Sequence, residues 1–440
     1  MKTGKCKTYL ETLGCPKNLT DSEDLIGRFP QPIVTEPDQA DIIVLNTCAF
    51  IDDAVEESVN RILELSRFKT EGQLKTLIVH GCLVNRYGAD ELKSLLPEVD
   101  YFWPVRPWQE LETWLREFTD ETSSHPDGAC HPDIRLTHPA FRYLKIAEGC
   151  NNACSYCLIP SIRGRLVSEP VESLYQKVQS YAAHKEIKEI ILIAQDTANY
   201  GHDLDPPDHL VHLLQRLETS DFEGWFRLMY LNPSHITPAL IDHLAGSRKI
   251  IPYLDIPIQH CNTQILKRMN RPYTRADLID LYRRLHDALP GLVLRTTVMV
   301  GFPYETETRF EELLEFIQEY PFDKLGGFIF QPQSGTPAAG FPARRIARRM
   351  AEERLALLMG IQQEISHRRL KRFLHQDVDM VVMGSIPGKK YAWWGRTYRD
   401  APEIDGITYL KSDGNYPVGT RIRVKIIRNS DYDAYAIPVD

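Results

Sequence analysis

Three cysteines, Cys15, Cys48 and Cys82, stand 33 and 34 residues apart. Each follows directly on a short apolar run: Lys7–Gly14 (KTYLETLG), Asp41–Thr47 (DIIVLNT) and Thr76–Gly81 (TLIVHG). Runs of this length, rich in β-branched residues, read as strands. Helical patterns lie between them, clearest over Asp52–Lys69, which places two acids at the positive end of a helix dipole. The alternation predicts a small α/β domain with a mostly parallel sheet. In such a sheet the carboxyl ends of the strands share one edge, where ligands gather. Thiols that are scattered in the sequence are therefore expected to meet in space.

A second triad is compact. Cys150-Asn-Asn-Ala-Cys154-Ser-Tyr-Cys157 is a CxxxCxxC run that follows another predicted strand, Phe141–Glu148. Three thiolates from one loop can hold three irons of a four-iron cluster and leave the fourth iron open. A zinc site would need a fourth ligand, and the nearest upstream are Cys130 and His131. Ferredoxin-type runs use CxxC spacings and a fourth cysteine, which this run lacks. Two triads imply two clusters, each with an open corner, which is the equipment of a redox enzyme. The chain has nine cysteines, an odd count that points to metal or redox chemistry rather than disulfides. Cys6, Cys130 and Cys261 read as ordinary thiols.

The 440 residues allow about three domains. The predicted fold class is α/β, beginning with the cluster domain at 4–120. Residues 121–138 have loop composition and read as a linker. Over 139–369 six strand candidates alternate with amphipathic helices: Phe141–Glu148, Glu189–Asp196, Trp225–Asn232, Tyr253–Gln259, Leu292–Gly301 and Lys324–Gln331. That pattern predicts a partial or complete α/β barrel, with Cys150 at its catalytic end. A helical stretch near Arg344–Phe373 carries Arg344, Arg345, Arg348 and Arg349, read as a solvated face. Residues 371–440, punctuated by glycines, predict a small antiparallel β-barrel.

Nothing in the sequence suggests a membrane. No apolar run reaches 18 residues, and the first residues lack a signal core, so a cytoplasmic location is expected. Residues 1–120 hold 13 Lys/Arg against 21 Asp/Glu, which accounts for the whole net charge of −8. Residues 371–440 hold 11 against 9. A nucleic-acid binder normally shows a strongly basic face, so this balance argues against nucleic acid as the substrate.

The CxxxCxxC loop, with Tyr156 just before its last cysteine, closely resembles the radical S-adenosylmethionine (SAM) enzymes. The resemblance implies that Cys150, Cys154 and Cys157 bind a cluster whose open iron takes the amino and carboxylate groups of SAM. It also implies cofactor-binding roles for Tyr156, Gln195 and Gly301. Gln195-Asp196 ends the second barrel strand, where that superfamily contacts the SAM amino group. Val298-Met-Val-Gly301-Phe-Pro303 ends the fifth, and Gly301 would let the backbone approach the ligand closely.

The surroundings of the first triad are distinctive: Leu13-Gly-Cys15-Pro-Lys-Asn18-Leu-Thr-Asp21-Ser-Glu23, Asn46-Thr-Cys48-Ala-Phe50 and His80-Gly-Cys82-Leu. Together with the Cys150 loop they resemble the methylthiotransferases, radical SAM enzymes that convert C–H to C–SCH3, over nearly the whole chain. The implied order is a methylthiotransferase N-terminal domain, a radical SAM core and a C-terminal TRAM barrel. Gly14–Glu23, Lys145–Gly164 and Gly395–Asp405 look like the branch that modifies ribosomal protein S12 rather than tRNA adenosine. The last stretch is acidic, and it is expected to read the basic S12 loop.

The resemblance implies two [4Fe–4S] clusters and SAM as both methyl donor and radical source. The cluster on Cys15, Cys48 and Cys82 would carry the sulfur that is methylated and then transferred to the β-carbon of an S12 aspartate. A sulfur donor and a flavodoxin or ferredoxin-type electron donor follow as partners. Beyond the cluster ligands no catalytic residue is assigned. Thr20 and Tyr304 depart from the usual pattern, which has valine and glycine at those positions. The competing readings are a tRNA methylthiotransferase, a radical SAM enzyme without sulfur transfer, and a non-catalytic iron–sulfur or zinc scaffold.

Overall fold

The computed structural model describes residues 6–27, 32–105, 113–114, 135–342, 346–388 and 390–439. Most of the expected linker lies outside the described residues, as do Cys130, His131, Arg344 and Arg345. The chain forms two compact units. One comprises Met1–Thr137, Gly149–Asn151 and Cys157–Arg165; the other comprises His138–Glu148, Asn152–Tyr156 and Leu166–Asp440.

The first unit is built on a four-stranded parallel sheet in the order β1 (Thr8–Thr12), β2 (Ile42–Thr47), β3 (Thr76–Gly81), β4 (Tyr101–Trp103). β2 and β3 are buried at every position, as expected where both faces of a parallel sheet are covered. Their side chains alternate between two apolar clusters. Ile43, Leu45, Leu77 and Val79 pack on one face, and Ile42, Val44 and Ile78 pack with Leu25 and Ile26 on the other. Leu25 and Ile26 belong to helix α1 (Pro16–Ile26). Each such fully buried side chain contributes roughly 1.5–3 kcal/mol. β4 is absent from the sequence reading because three residues are too few to show a period of two.

The segment Cys157–Arg165, distant in sequence, belongs to this unit. Leu158 and Ile162 are buried in the cluster that holds Leu83 and Val84. Asn85 Nδ2 also donates to the Ile162 carbonyl at 2.8 Å.

All six expected barrel strands are present in the second unit: β5 (Phe141–Lys145), β8 (Glu189–Ile193), β9 (Trp225–Leu228), β10 (Ile250–Asp255), β11 (Val293–Val300) and β12 (Lys324–Ile329). They lie in the order β12-β11-β10-β9-β8-β5, with every pairing parallel. The sheet is open, so the barrel is partial. β6 (Ala147–Glu148) and β7 (Val167–Ser168) form a short antiparallel pair. The long helix runs Arg348–Leu370, and Arg348 and Arg349 pair with Glu352 and Glu353 on its exposed face. Among the described residues no helix is long and apolar enough to cross a membrane.

The C-terminal strands close a five-stranded barrel in the order β13 (Asp377–Ser385), β14 (Trp393–Thr397), β15 (Thr408–Leu410), β17 (Ala434–Pro438), β16 (Arg421–Asn429). Its pairings are antiparallel except β15–β17, which is parallel.

One face of the six-stranded sheet carries Ile190, Leu192, Phe226, Leu228 and Leu254 into the main apolar core. Several of the alternate positions, among them Glu189, Arg227 and Tyr253, are polar and meet the segment between β14 and β15. Arg227 is fully buried; its Nε donates to Glu189 Oε1 at 2.5 Å, and its terminal nitrogens donate to the Tyr398 and Asp400 carbonyls. Arg396 pairs with the other Glu189 oxygen at 2.7 Å, and Lys324 pairs with Asp400 at 3.0 Å. Tyr253 donates to Asp405, and Tyr143 donates to Glu403.

For Asp400 and Asp405 this corrects the expectation that Gly395–Asp405 presents its acids to a basic partner. Asp400 and Asp405 are spent on the barrel's own cations and hydroxyls, because charges on a buried face require partners. Of this acidic stretch, Glu403 and Ile404 are exposed. Arg227→Ala would leave Glu189 and two carbonyls short of a donor, a loss of roughly 3–5 kcal/mol for a broken buried pair. The expected result is a clearly lower denaturant midpoint by tryptophan emission; an unchanged midpoint would show that the pair does not hold the two elements together.

Candidate functional site

The first unit brings the scattered cysteines together. Cys15 caps the N-terminus of α1, with Pro16 as its first helical residue. Cys48 follows β2, and Cys82 opens the short helix Cys82–Tyr87 directly after β3. Two glycines make this packing possible. Gly14 has φ +86°, and a Cβ there would lie 2.6 Å from Cys48 Cβ. Gly81 has φ +106°, and a Cβ there would overlap Asn46 Oδ1 and the Thr47 backbone. Both conformations lie in the region that favours glycine.

Asn18, on the first turn of α1, lies among the three thiols. Its Nδ2 donates to the Leu13 and Thr47 carbonyls at 2.9 and 3.0 Å, which fixes the amide orientation. Oδ1 therefore faces the sulfurs, 3.8 Å from Cys15 Sγ and 3.7 Å from Cys82 Sγ. Arg163 completes the arrangement. Its Nε donates to Cys82 Sγ at 3.3 Å, one terminal nitrogen donates to Asp21 Oδ2 at 2.6 Å and the other to Asn18 Oδ1. The side chains of Arg163 and Asp21 are both 2% exposed. Burial pushes the Cys82 thiol up to about 11 and raises Cys48 as well; Arg163 acts in the opposite direction on both.

Cys150, Cys154 and Cys157 share one eight-residue loop. Cys150 is buried, and its backbone N–H donates to the Gly164 carbonyl at 3.1 Å. Cys157 is half-buried, and its sulfur accepts from Ile159 N at 3.4 Å. The middle of the loop is fastened to the barrel. Ser155 donates through N and Oγ to the Met269 and Arg268 carbonyls, and Arg271 donates to the Tyr156 hydroxyl at 2.9 Å. The Tyr156 ring meets Phe302 edge-on, with centroids 6.4 Å apart. Thus the Tyr156 and Gly301–Pro303 segments, far apart in sequence, are neighbours.

Gln195 Nε2 donates to Glu148 Oε1 at 2.7 Å, and Glu148 Oε2 accepts from Lys145. With the amide nitrogen held in this way, Gln195 Oε1 is buried without a hydrogen-bond partner. A buried open acceptor beyond a strand end suits an ammonium or amide donor on a ligand. Asp196 is buried and accepts from Asn152 Nδ2 at 2.6 Å, with His235 Nδ1 2.7 Å away. Gly301 has φ +75° and donates to the Glu305 carboxylate; the group it lets approach is Ala351, whose Cβ would lie 2.9 Å from an added methyl. Tyr304 also has a positive φ, 70°, which accounts for the glycine usual at that position. Arg268 lies 4.4 Å over its ring, and Arg309 donates to its carbonyl. Thr20 is buried, with its hydroxyl bonded to the Lys17 carbonyl.

Sequence reasoning did not assign Asn18, Arg163, Glu148 or Asn152 a role. The stretches around Cys15 and Cys150 contain all four, but only the fold shows which of them face sulfur or one another. Cys261 is buried, donates to the Glu312 carbonyl and is pushed up to about 12 by burial, as fits an inert thiol. Among the described residues no group of three or more His, Cys, Asp or Glu could enclose a single metal ion. A four-iron cluster spreads its thiolates over separate irons, and three cysteines per site suit it.

The chain matches three family models: an uncharacterized protein family, UPF0004, over residues 7–103, the radical SAM superfamily over 144–317, and the TRAM domain over 376–439. Among solved structures it resembles the radical SAM methyltransferase TsrM from Kitasatospora setae with tryptophan and a SAM analog bound. That likeness has a TM-score of 0.53 at 14% identity, over 73% of this chain and 72% of that one. The cobalamin-dependent SAM radical enzyme OxsB gives a TM-score of 0.52 at 12% identity, over 81% and 56%. Both likenesses show the fold. Curated relatives are much nearer. The ribosomal protein uS12 methylthiotransferase RimO of Geobacter sulfurreducens is 41% identical, over 98% of both chains. Those of Clostridium botulinum and Desulfitobacterium hafniense are 37% and 38% identical, over 99% and 98% of each chain. On this similarity along its whole length, the chain belongs to the ribosomal protein uS12 methylthiotransferase (RimO) family.

Proposed function

We propose that the chain methylthiolates the β-carbon of an aspartate in ribosomal protein S12, with SAM and two [4Fe–4S] clusters as cofactors. The observation that carries this reading is the convergence of Cys15, Cys48 and Cys82 in a chain that also bears a CxxxCxxC loop. One triad serves radical generation, and the second serves sulfur delivery. Full-length similarity to RimO relatives, together with an N-terminal half rich in acids, favours S12 over tRNA as the acceptor.

In this reading Cys150, Cys154 and Cys157 hold one cluster, and Cys15, Cys48 and Cys82 hold the other. When bound, the clusters and SAM supply a hydrogen-abstracting radical and a methylated sulfur. The protein's own contribution is placement. Asn18 and Gly14 pack the auxiliary thiols, α1 directs its positive end at Cys15, and the Lys145–Glu148–Gln195 chain holds an open acceptor for the SAM amino group. Tyr156 packs edge-on against Phe302, beside the Gly301 turn. A flavodoxin or ferredoxin-type protein is the electron donor and a separate protein or sulfide source the sulfur donor. The setting is the cytoplasm, where ribosomes are assembled.

The experiment offers purified S12 and bulk tRNA to the anaerobically reconstituted enzyme with SAM and reductant, read by mass spectrometry. A methylthio adduct on the S12 aspartate alone is expected; an adduct on tRNA alone would overturn the substrate. The division of labour has its own test. Cys150→Ala should abolish SAM cleavage, whereas Cys48→Ala should keep cleavage and lose methylthio transfer. Loss of both activities in each variant, with iron intact at the other site, would contradict it.

A further inference from the structure

Arg163 has a geometry that no cluster ligand explains. It lies six residues beyond Cys157 yet is buried in the N-terminal unit against Cys82. Its guanidinium is held by Asp21 Oδ2 at 2.6 Å and by Asn18 Oδ1, and this grip aims Nε at Cys82 Sγ, 3.3 Å away. A buried arginine paired only for stability would need the carboxylate; here one N–H is spent on a sulfur. Asn18 Oδ1 faces both Cys15 and Cys82 as an acceptor, which suits thiols. Once those sulfurs are thiolates on iron they have no proton to give, and the Asn18 oxygen keeps Arg163 as its donor. The contact from Nε to Cys82 then becomes a charge-assisted N–H···S bond in a site shielded from water.

We propose that Arg163 is a positioning and tuning residue of the auxiliary cluster: its N–H···S bond to Cys82 raises that cluster's reduction potential and sets how readily it accepts an electron. This rests on the reading that Cys15, Cys48 and Cys82 bind a cluster. The physical basis is general. Adding an electron increases negative charge on the cluster sulfurs, and a fixed cationic donor stabilises the reduced form more than the oxidised one. Asp21 keeps the guanidinium in place and moderates its charge. Because Cys157–Arg165 packs on the helix that Cys82 opens, the residue doing the tuning is carried by the segment that directly follows the CxxxCxxC loop.

The test uses the full chain with Cys150, Cys154 and Cys157 replaced by alanine, so that only the auxiliary cluster remains. Arg163→Gln and Arg163→Lys are added separately, and each protein is reconstituted, assayed for iron and titrated by EPR-monitored reduction. The expected result is that Arg163→Gln keeps its iron but needs a lower potential. At a fixed potential its reduced-to-oxidised ratio should fall by about tenfold, which for one electron is about 59 mV. Arg163→Lys should move less, since it keeps the charge and loses the fork. An Arg163→Gln cluster with full iron and unchanged potential would overturn the proposal alone. If Arg163→Gln loses iron, the lysine variant decides: retained iron with a near-parental potential supports the charge's role, and lost iron makes Arg163 a purely structural brace. If the parental protein itself holds no cluster, the auxiliary-cluster reading fails, and this proposal with it.

Discussion

The buried contact of Arg163 with Asp21, Asn18 and Cys82 is the constraint on which the site depends. A guanidinium and a carboxylate out of water are stable only when their remaining groups are satisfied, so the pair fixes its neighbours as well as itself. Through it, the chain just past the CxxxCxxC loop is joined to α1 and to the end of β3. The three scattered cysteines need this join. Each is delivered by a separate strand, and strand ends alone leave side-chain directions open. The Asn18 amide, fixed by the Leu13 and Thr47 carbonyls, and the Gly14 and Gly81 turns remove that freedom.

The second unit solves a different problem with the same physics. A partial barrel has an inner face that its surrounding helices do not cover. Here that face carries Glu189, Arg227, Tyr253, Arg295 and Lys324, and the β14–β15 segment of the C-terminal barrel answers them with Asp400, Asp405 and backbone carbonyls. The acids of Gly395–Asp405 thus serve internal pairing before any recognition.

Much of this was legible in the sequence. Strand–helix alternation gave the parallel sheets, because period and turn signals are local, and the placement of cysteines after strands located the scattered site. The resemblance carried by Gly14–Glu23 and the CxxxCxxC loop located the second. The rest was not legible, because it depends on pairs brought together by the fold. Arg163 and Cys82 are 81 positions apart, and Arg227 and Asp400 are 173 apart. An acidic stretch looks the same in sequence whether it faces solvent or a buried arginine. β4 was missed for its shortness, and the left-handed backbone at Tyr304 is a property that only glycine announces in advance.

The central claim is that two triads, one scattered and one compact, each hold a cluster of their own. Iron and sulfide analysis, with Mössbauer spectra, on the wild type and on the two triple alanine variants tests it most directly. Each variant is expected to keep half of the wild-type iron as a four-iron cluster. A Cys15/Cys48/Cys82 variant with undiminished iron, or a Cys150/Cys154/Cys157 variant with none, would contradict it.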